Sequence, residues 1–208
     1  SEFVYSEDSI ESNVIALIKD GQMVDVLEGE GLIITKQTPF YAESGGQVSD
    51  CGVIENDTMH AEVTSMLKGP HGQHVHHVKL EGQVKLKDDV VLSIDQEARR
   101  LIRKNHSAVH LLQAILRTKL GNHVEQAGSY VTDEYFRFDF SHFESVPERI
   151  LDDIELELNT WISKPTKVET LVTDLKTAQD MGALAFFSEN YGDSVRLVIM
   201  GDKSMELC

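Results

Sequence analysis

The spacing of apolar residues changes near residue 95, and that change splits the folding problem in two. Upstream, short apolar runs recur: Val14 to Ile18, Met23 to Leu27, Gly31 to Thr35, Val48 to Ile54, Ala61 to Leu67, His74 to Leu80 and Val90 to Ile94. Gly-, Asn- and Asp-bearing breaks separate them, and Asp20-Gly21 suits a tight hairpin turn. Many short strands without a long helical pattern predict a small closed or rolled β structure. Downstream the period becomes helical. Asp95 can cap a helix over 96–120 that Gly121 stops. Ser145-x-x-Glu148, with Pro147 in the first turn, reads as a capping box for a second helix. Its Ile150, Leu151, Ile154, Leu158, Trp161 and Ile162 form one stripe to about 163. Strands over 129–131 and 135–140, a short helix over 173–181 and a hairpin from Val195 to Cys208 complete the pattern. The expected architecture is α+β. A β-barrel-like subdomain (1–95) is followed by a subdomain (96–208) of helices packed on an antiparallel sheet.

The chain is long enough to bury such a core. At 41% hydrophobic and 26% charged residues it is excluded from the collagen-like, mucin-like and disordered classes. No apolar run approaches a membrane span. Two cysteines make no disulfide framework and point to a reducing, cytoplasmic setting. The sequence starts Ser1-Glu2-Phe3, without an initiator Met or an apolar leader, as expected for a piece excised from a longer protein. A net charge of −16 opposes nucleic-acid binding by bulk electrostatics. The charge is uneven, however. Residues 97–120 hold six cations against the single acid Glu97. Arg99, Arg103 and Arg117 therefore either meet a polyanion locally or lie on an ordinary solvated face.

His106 and His110 stand one helical turn apart, a spacing that fits a shared metal ion as well as two surface histidines. The apolar stripe of their helix runs through Leu101, Ala108, Leu112, Ile115 and Leu116. The histidines lie off it, beside Arg99, Arg103, Gln113 and Arg117, and are expected outside the core. Cys208 is the plausible thiolate for a zinc site. The tract His71 to His77 reads as turn and strand, and Cys51 as a small buried hydrophobe. No phosphate-binding glycine loop occurs, since neither GxxxxGK(S/T) nor GxGxxG is present.

Several segments closely resemble the editing domain of alanyl-tRNA synthetases of bacterial type and the related freestanding AlaX proteins. They are Thr38 to Gln47, His106 to Leu112, His123 to Ser129, Arg137 to His142, Gly182 to Phe187, Met200 to Asp202 and Ser204 to Cys208. The resemblance as a whole, with these segments in the right order, covers about nine-tenths of the chain. The resemblance implies zinc held by His106, His110 and Cys208, with a further family histidine four positions beyond Cys208. It implies hydrolysis of the ester in tRNA(Ala) mischarged with serine or glycine, with the tRNA acceptor end and other synthetase domains as partners. Arg99, Arg103 and Arg117 become the candidate tRNA contacts. Gln126 matches a glutamine beside the zinc and is expected to position substrate or water. Val109 stands where threonine is common, which removes a hydroxyl near the amino-acid pocket. Gly45, Gly46 and Gln47 form either a backbone cradle for ribose or phosphate or a plain hairpin turn. Arg137 and Asp139 share a strand face as substrate contacts or as a structural ion pair. The rival reading is a non-catalytic tRNA-end or protein-docking module with an incomplete zinc site.

Overall fold

Alternating apolar residues up to Ile94 fold into nine strands. These are β1 (Glu2–Phe3), β2 (Ser9–Lys19), β3 (Gln22–Met23), β4 (Val26–Thr35), β5 (Gln37–Thr38), β6 (Gly52–Asn56), β7 (Met59–Lys68), β8 (His74–Lys85) and β9 (Asp89–Ile94). The computed structural model describes residues 1–184 and 194–208, so the Ala185, Phe186 and Phe187 of the family-like motif lie outside the described residues. It comprises two units, one of residues 1–103 and 130–135, the other of 104–129 and 136–208.

In the first unit the strands run β2-β4-β8-β7-β6-β9, and β9 pairs again with β2, which closes a six-stranded barrel. Closure removes the sheet edges. One residue in two points inward, and Leu17, Leu27, Ile33, Phe40, Ile54, Met66 and Leu92 fill the interior. Asp20 and Gly21 both take positive φ (50° and 78°), the backbone that a two-residue hairpin between β2 and β3 requires. Residues 48–51 do not extend β6 as expected, and Cys51 is exposed rather than buried. The strand begins at Gly52, where a Cβ would lie 2.2 Å from the Ser93 carbonyl oxygen.

Two buried polar groups are built into this unit. Asp50 accepts the Tyr41 N–H (2.6 Å) and pairs with Arg99, whose Nε lies 2.8 Å from Asp50 Oδ1 and whose Nη2 donates to the Pro39 carbonyl at 2.8 Å. His76 is fully buried in β8. Its Nδ1–H donates to Ile33 O and its Nε2 meets the Thr38 hydroxyl, each at 2.8 Å. Burial pushes the His76 imidazole down from 6.5 to about 4. The unfolded chain therefore takes up a proton between these values that the folded chain refuses. Stability from this residue is complete above pH 6.5 and is lost as pH falls towards 4, by about 3 kcal/mol. Urea unfolding of wild type and His76→Gln from pH 7.5 to 4 should show the steeper acid loss in wild type; parallel profiles would remove His76 as the cause.

The second unit carries most of α1 (Gln96–Leu120), then β10 (Gln126–Val131), β11 (Phe136–Phe140), α2 (Glu148–Ile162), β12 (Val168–Thr173), α3 (Leu175–Asp180), β13 (Val195–Met200) and β14 (Ser204–Leu207). The cap expected for α1 is present, the Asp95 carboxylate accepting the Ala98 N–H at 2.9 Å. The capping box of α2 is not. Pro147 occupies the N-cap without a side-chain bond, because its fixed φ (−60°) sets the first turn by itself. The helix buries Ile154, while Leu151 and Ile162 of the expected stripe are exposed. Asp174 caps α3 through the Thr177 N–H, so that helix starts later than expected. Its predecessor β12 was hidden from pattern reading because nearly all its residues are exposed.

β12, β13 and β14 form an antiparallel sheet, covered on both faces at β13 and β14. Leu197 and Leu207 pack with Ala178 of α3 on one face. Val198 and Met200 pack with Leu111 of α1 on the other. The register pairs Val198 with Glu206 and Met200 with Ser204, so Ser204 and Glu206 share the α1-facing side. Among the described residues no helix is long and apolar enough to cross a membrane.

Candidate metal centre

The polar stripe of α1, expected to face solvent, is largely buried. Arg99, His110 and Gln113 are 5%, 8% and 1% exposed. Arg99 and His110 meet carboxylates rather than water, which explains why they are inside, while Arg103 stays exposed. In the second unit His106 and His110 stack at 5.2 Å between ring centroids. Cys208 Sγ lies 3.2 Å from His106 Nε2. The three donor atoms of His106, His110 and Cys208 all fall within 4.8 Å of one another.

The chemistry of this set fits zinc. Tetrahedral zinc with bonds of about 2.0–2.3 Å holds its donors roughly 3.3–3.8 Å apart, within reach of a small rotamer change. His110 Nδ1 donates to Glu206 Oε2 at 2.5 Å, which leaves Nε2 with its lone pair; that atom is buried and makes no hydrogen bond. An imidazole fixed by a carboxylate on one nitrogen and free on the other is the arrangement a metal ligand requires. Burial opposes a Cys208 thiolate, but the bonds and charge of His106 and His110 outweigh it and lower the thiol from 9.0 to about 5. Burial likewise opposes a His110 cation, and Cys208 and Glu206 overcome it, raising His110 to about 9, so a metal binding at Nε2 displaces a proton from it. A thiolate beside two imidazoles is a ready soft-donor set.

The other candidates are placed as follows. Gln126 opens β10, exposed, its amide donating to Ser129 Oγ at 3.1 Å. Val109 is buried in α1. Gly45 and Gly46, at φ 59° and 80°, form the two-residue turn of a Ser44–Gln47 bridge, and Gln47 is buried. Gly46 also accepts the Val131 N–H at 2.8 Å. Arg137 and Asp139 make an exposed ion pair at 3.1 Å. Arg103 is exposed and lies over the Tyr5 ring. Arg117 is half-buried and donates to Val124 O at 2.8 Å. Arg99 departs from the expectation of a tRNA-facing cation, since its guanidinium is committed to Asp50 and Pro39 inside the first unit. Sequence reasoning missed Glu206, Ser204 and the burial of Gln113. The signal was present: Ser204, Glu206 and Cys208 alternate with Met205 and Leu207 in a strand covered on both faces, where an apolar run is the rule.

Residues 1–98 match the family model of class II (A) tRNA synthetases. The whole chain aligns with the alanine–tRNA ligases of Streptococcus mutans serotype c (46% identical), Lactococcus lactis subsp. cremoris (44%) and Streptococcus agalactiae serotype Ia (45%). It covers 24% of the length of each of these relatives. The chain is thus similar, over its whole length, to a segment about a quarter as long as these alanine–tRNA ligases.

Proposed function

We propose that this segment is the editing hydrolase of an alanine–tRNA ligase, cleaving the aminoacyl ester of tRNA(Ala) mischarged with serine or glycine in the cytoplasm. The observation that carries the reading is the convergence of His106, His110 and Cys208, with His110 oriented by Glu206. An alanine pocket rejects glycine and serine poorly, by roughly 10²-fold at best, and a second, hydrolytic site supplies the remaining discrimination. Zinc bound there supplies a Lewis acid for an ester carbonyl or an anchor for the terminal ribose. The chain's own residues do the rest. His106, His110 and Cys208 hold the ion, Gln126 orients the aminoacyl group or a water, and the Arg137–Asp139 pair lines the approach of the acceptor end. Arg103 and Arg117 are the cations left to meet phosphates, so in this reading the grip on tRNA comes mainly from other domains of the synthetase. The net charge of −16 supports that division.

The test pairs zinc analysis with deacylation of serine-charged tRNA(Ala). Expected are one zinc per chain and serine release that chelation abolishes and Gln126→His slows by at least about tenfold, the scale of one lost transition-state hydrogen bond. A folded, zinc-loaded protein that releases no serine would overturn the hydrolase reading in favour of a docking module.

A further inference from the structure

His110 and Cys208 account for only part of the polar material buried where α1 meets β14. Glu206 is 1% exposed; its Oε2 accepts from His110, but its Oε1 is buried without a partner. Gln113 Nε2 and Ser204 Oγ are likewise buried and unpartnered. On α1, residues 106, 110 and 113 lie on one face at helical spacing, about 4.5–6 Å apart. On β14, residues 204 and 206 lie on one face about 6.6–6.8 Å apart, and Cys208, just past its end, continues the alternation. Two rungs of the resulting ladder are formed, His106 with Cys208 and His110 with Glu206. The third rung, by the same repeat, is Gln113 with Ser204. Both bear hydrogen-bond donors, and Glu206 Oε1 is an acceptor that lacks one.

We infer that Glu206 is a positioning residue for the metal, fixing His110 so that Nε2 is the ligating atom, and that Ser204 and Gln113, unbonded to it in this structure, are the donors available to its second oxygen. Three unsatisfied polar atoms in one dry layer cost more than an apolar interface would, so a fold that keeps them uses them. A carboxylate at this distance selects the Nε2-ligating tautomer, restrains the ring and raises its basicity towards a cation. A bond from Ser204 or Gln113 to the second oxygen would keep the carboxylate from rotating away. This inference rests on the metal-site reading, and not on which ester is cleaved.

The experiment measures zinc affinity of the metal-free 208-residue chain by chelator competition. Cobalt(II) serves as a second probe, through its thiolate charge-transfer band. Glu206→Leu should weaken both ions by about 10–100-fold. Glu206→Gln keeps an acceptor and should weaken them less, and Ser204→Ala less again. At saturating cobalt the thiolate band should remain in all three, because Cys208 is untouched. Melting of the metal-free proteins separates a purely structural role. Lower melting temperatures with unchanged affinities would overturn the positioning role, and so would equal affinities across the series. If Glu206→Leu does not fold, Glu206→Gln and Ser204→Ala decide by the same criterion. A wild-type chain that binds neither ion would overturn the metal site and this inference together.

Discussion

Asp50→Ala is expected to lower the stability of the first unit by about 3–5 kcal/mol, a large part of the total for a domain of this size. The loss has little to do with the attraction between Asp50 and Arg99 as such. Both side chains are almost sealed from water, at 2% and 5% exposure. Removing the carboxylate strands a guanidinium whose other bond, to Pro39 O, cannot compensate its charge, and it deprives the Tyr41 N–H of its acceptor. Asp50→Asn keeps an acceptor for Tyr41 but not the charge, and should fall between wild type and Asp50→Ala. The double variant Asp50→Leu/Arg99→Met should recover most of the loss, since two apolar groups of similar volume leave nothing buried and unpaired. Urea unfolding followed by circular dichroism measures all three. A loss below about 1 kcal/mol in Asp50→Ala would mean that Arg99 finds water once its partner is gone.

The barrel was legible because its information is local. A strand buried on one face announces itself by alternation, and Asp20-Gly21 announces its own turn. The closing pair β2–β9 is a long-range choice that no window of residues contains. The same limit explains Arg99. On the helix it resembles Arg103 in every local respect, and only Asp50, forty-nine positions earlier, makes it a core residue. His110 was assigned to a solvent-facing stripe for the same reason, since its partner Glu206 lies ninety-six positions away. The donor set of His106, His110 and Cys208 came from resemblance, with the helical spacing of the histidine pair as its only local support. The structure adds that the three donors converge. The Ser145 capping box failed on a different ground. With Pro147 as its N-cap the helix begins at Glu148, two residues later than a Ser145 cap requires, so Ser145 stands outside it.

The two histidines of the proposed centre should respond differently to removal, and the difference separates metal binding from folding. His106→Ala removes a half-buried ring and should abolish stoichiometric zinc while changing the stability of the metal-free protein by less than about 1 kcal/mol. His110→Ala should also abolish zinc, but it leaves Glu206 buried with neither oxygen paired, at a cost of about 3–5 kcal/mol in the metal-free protein. Metal analysis and denaturant melts after chelation read the two effects apart. Adding Glu206→Leu to His110→Leu should restore the fold without restoring zinc. Equal stability of the two metal-free single variants would show that the His110–Glu206 contact contributes nothing to the fold. Asp50–Arg99 and His110–Glu206 are both buried charged contacts, yet only the second leaves polar atoms unsatisfied around it. Natural cores seldom keep such atoms without a use. A buried pair whose remaining groups are all bonded holds a fold together; one surrounded by unmet donors and acceptors is arranged for a ligand, and here the imidazole nitrogen left open faces a thiolate and a second imidazole.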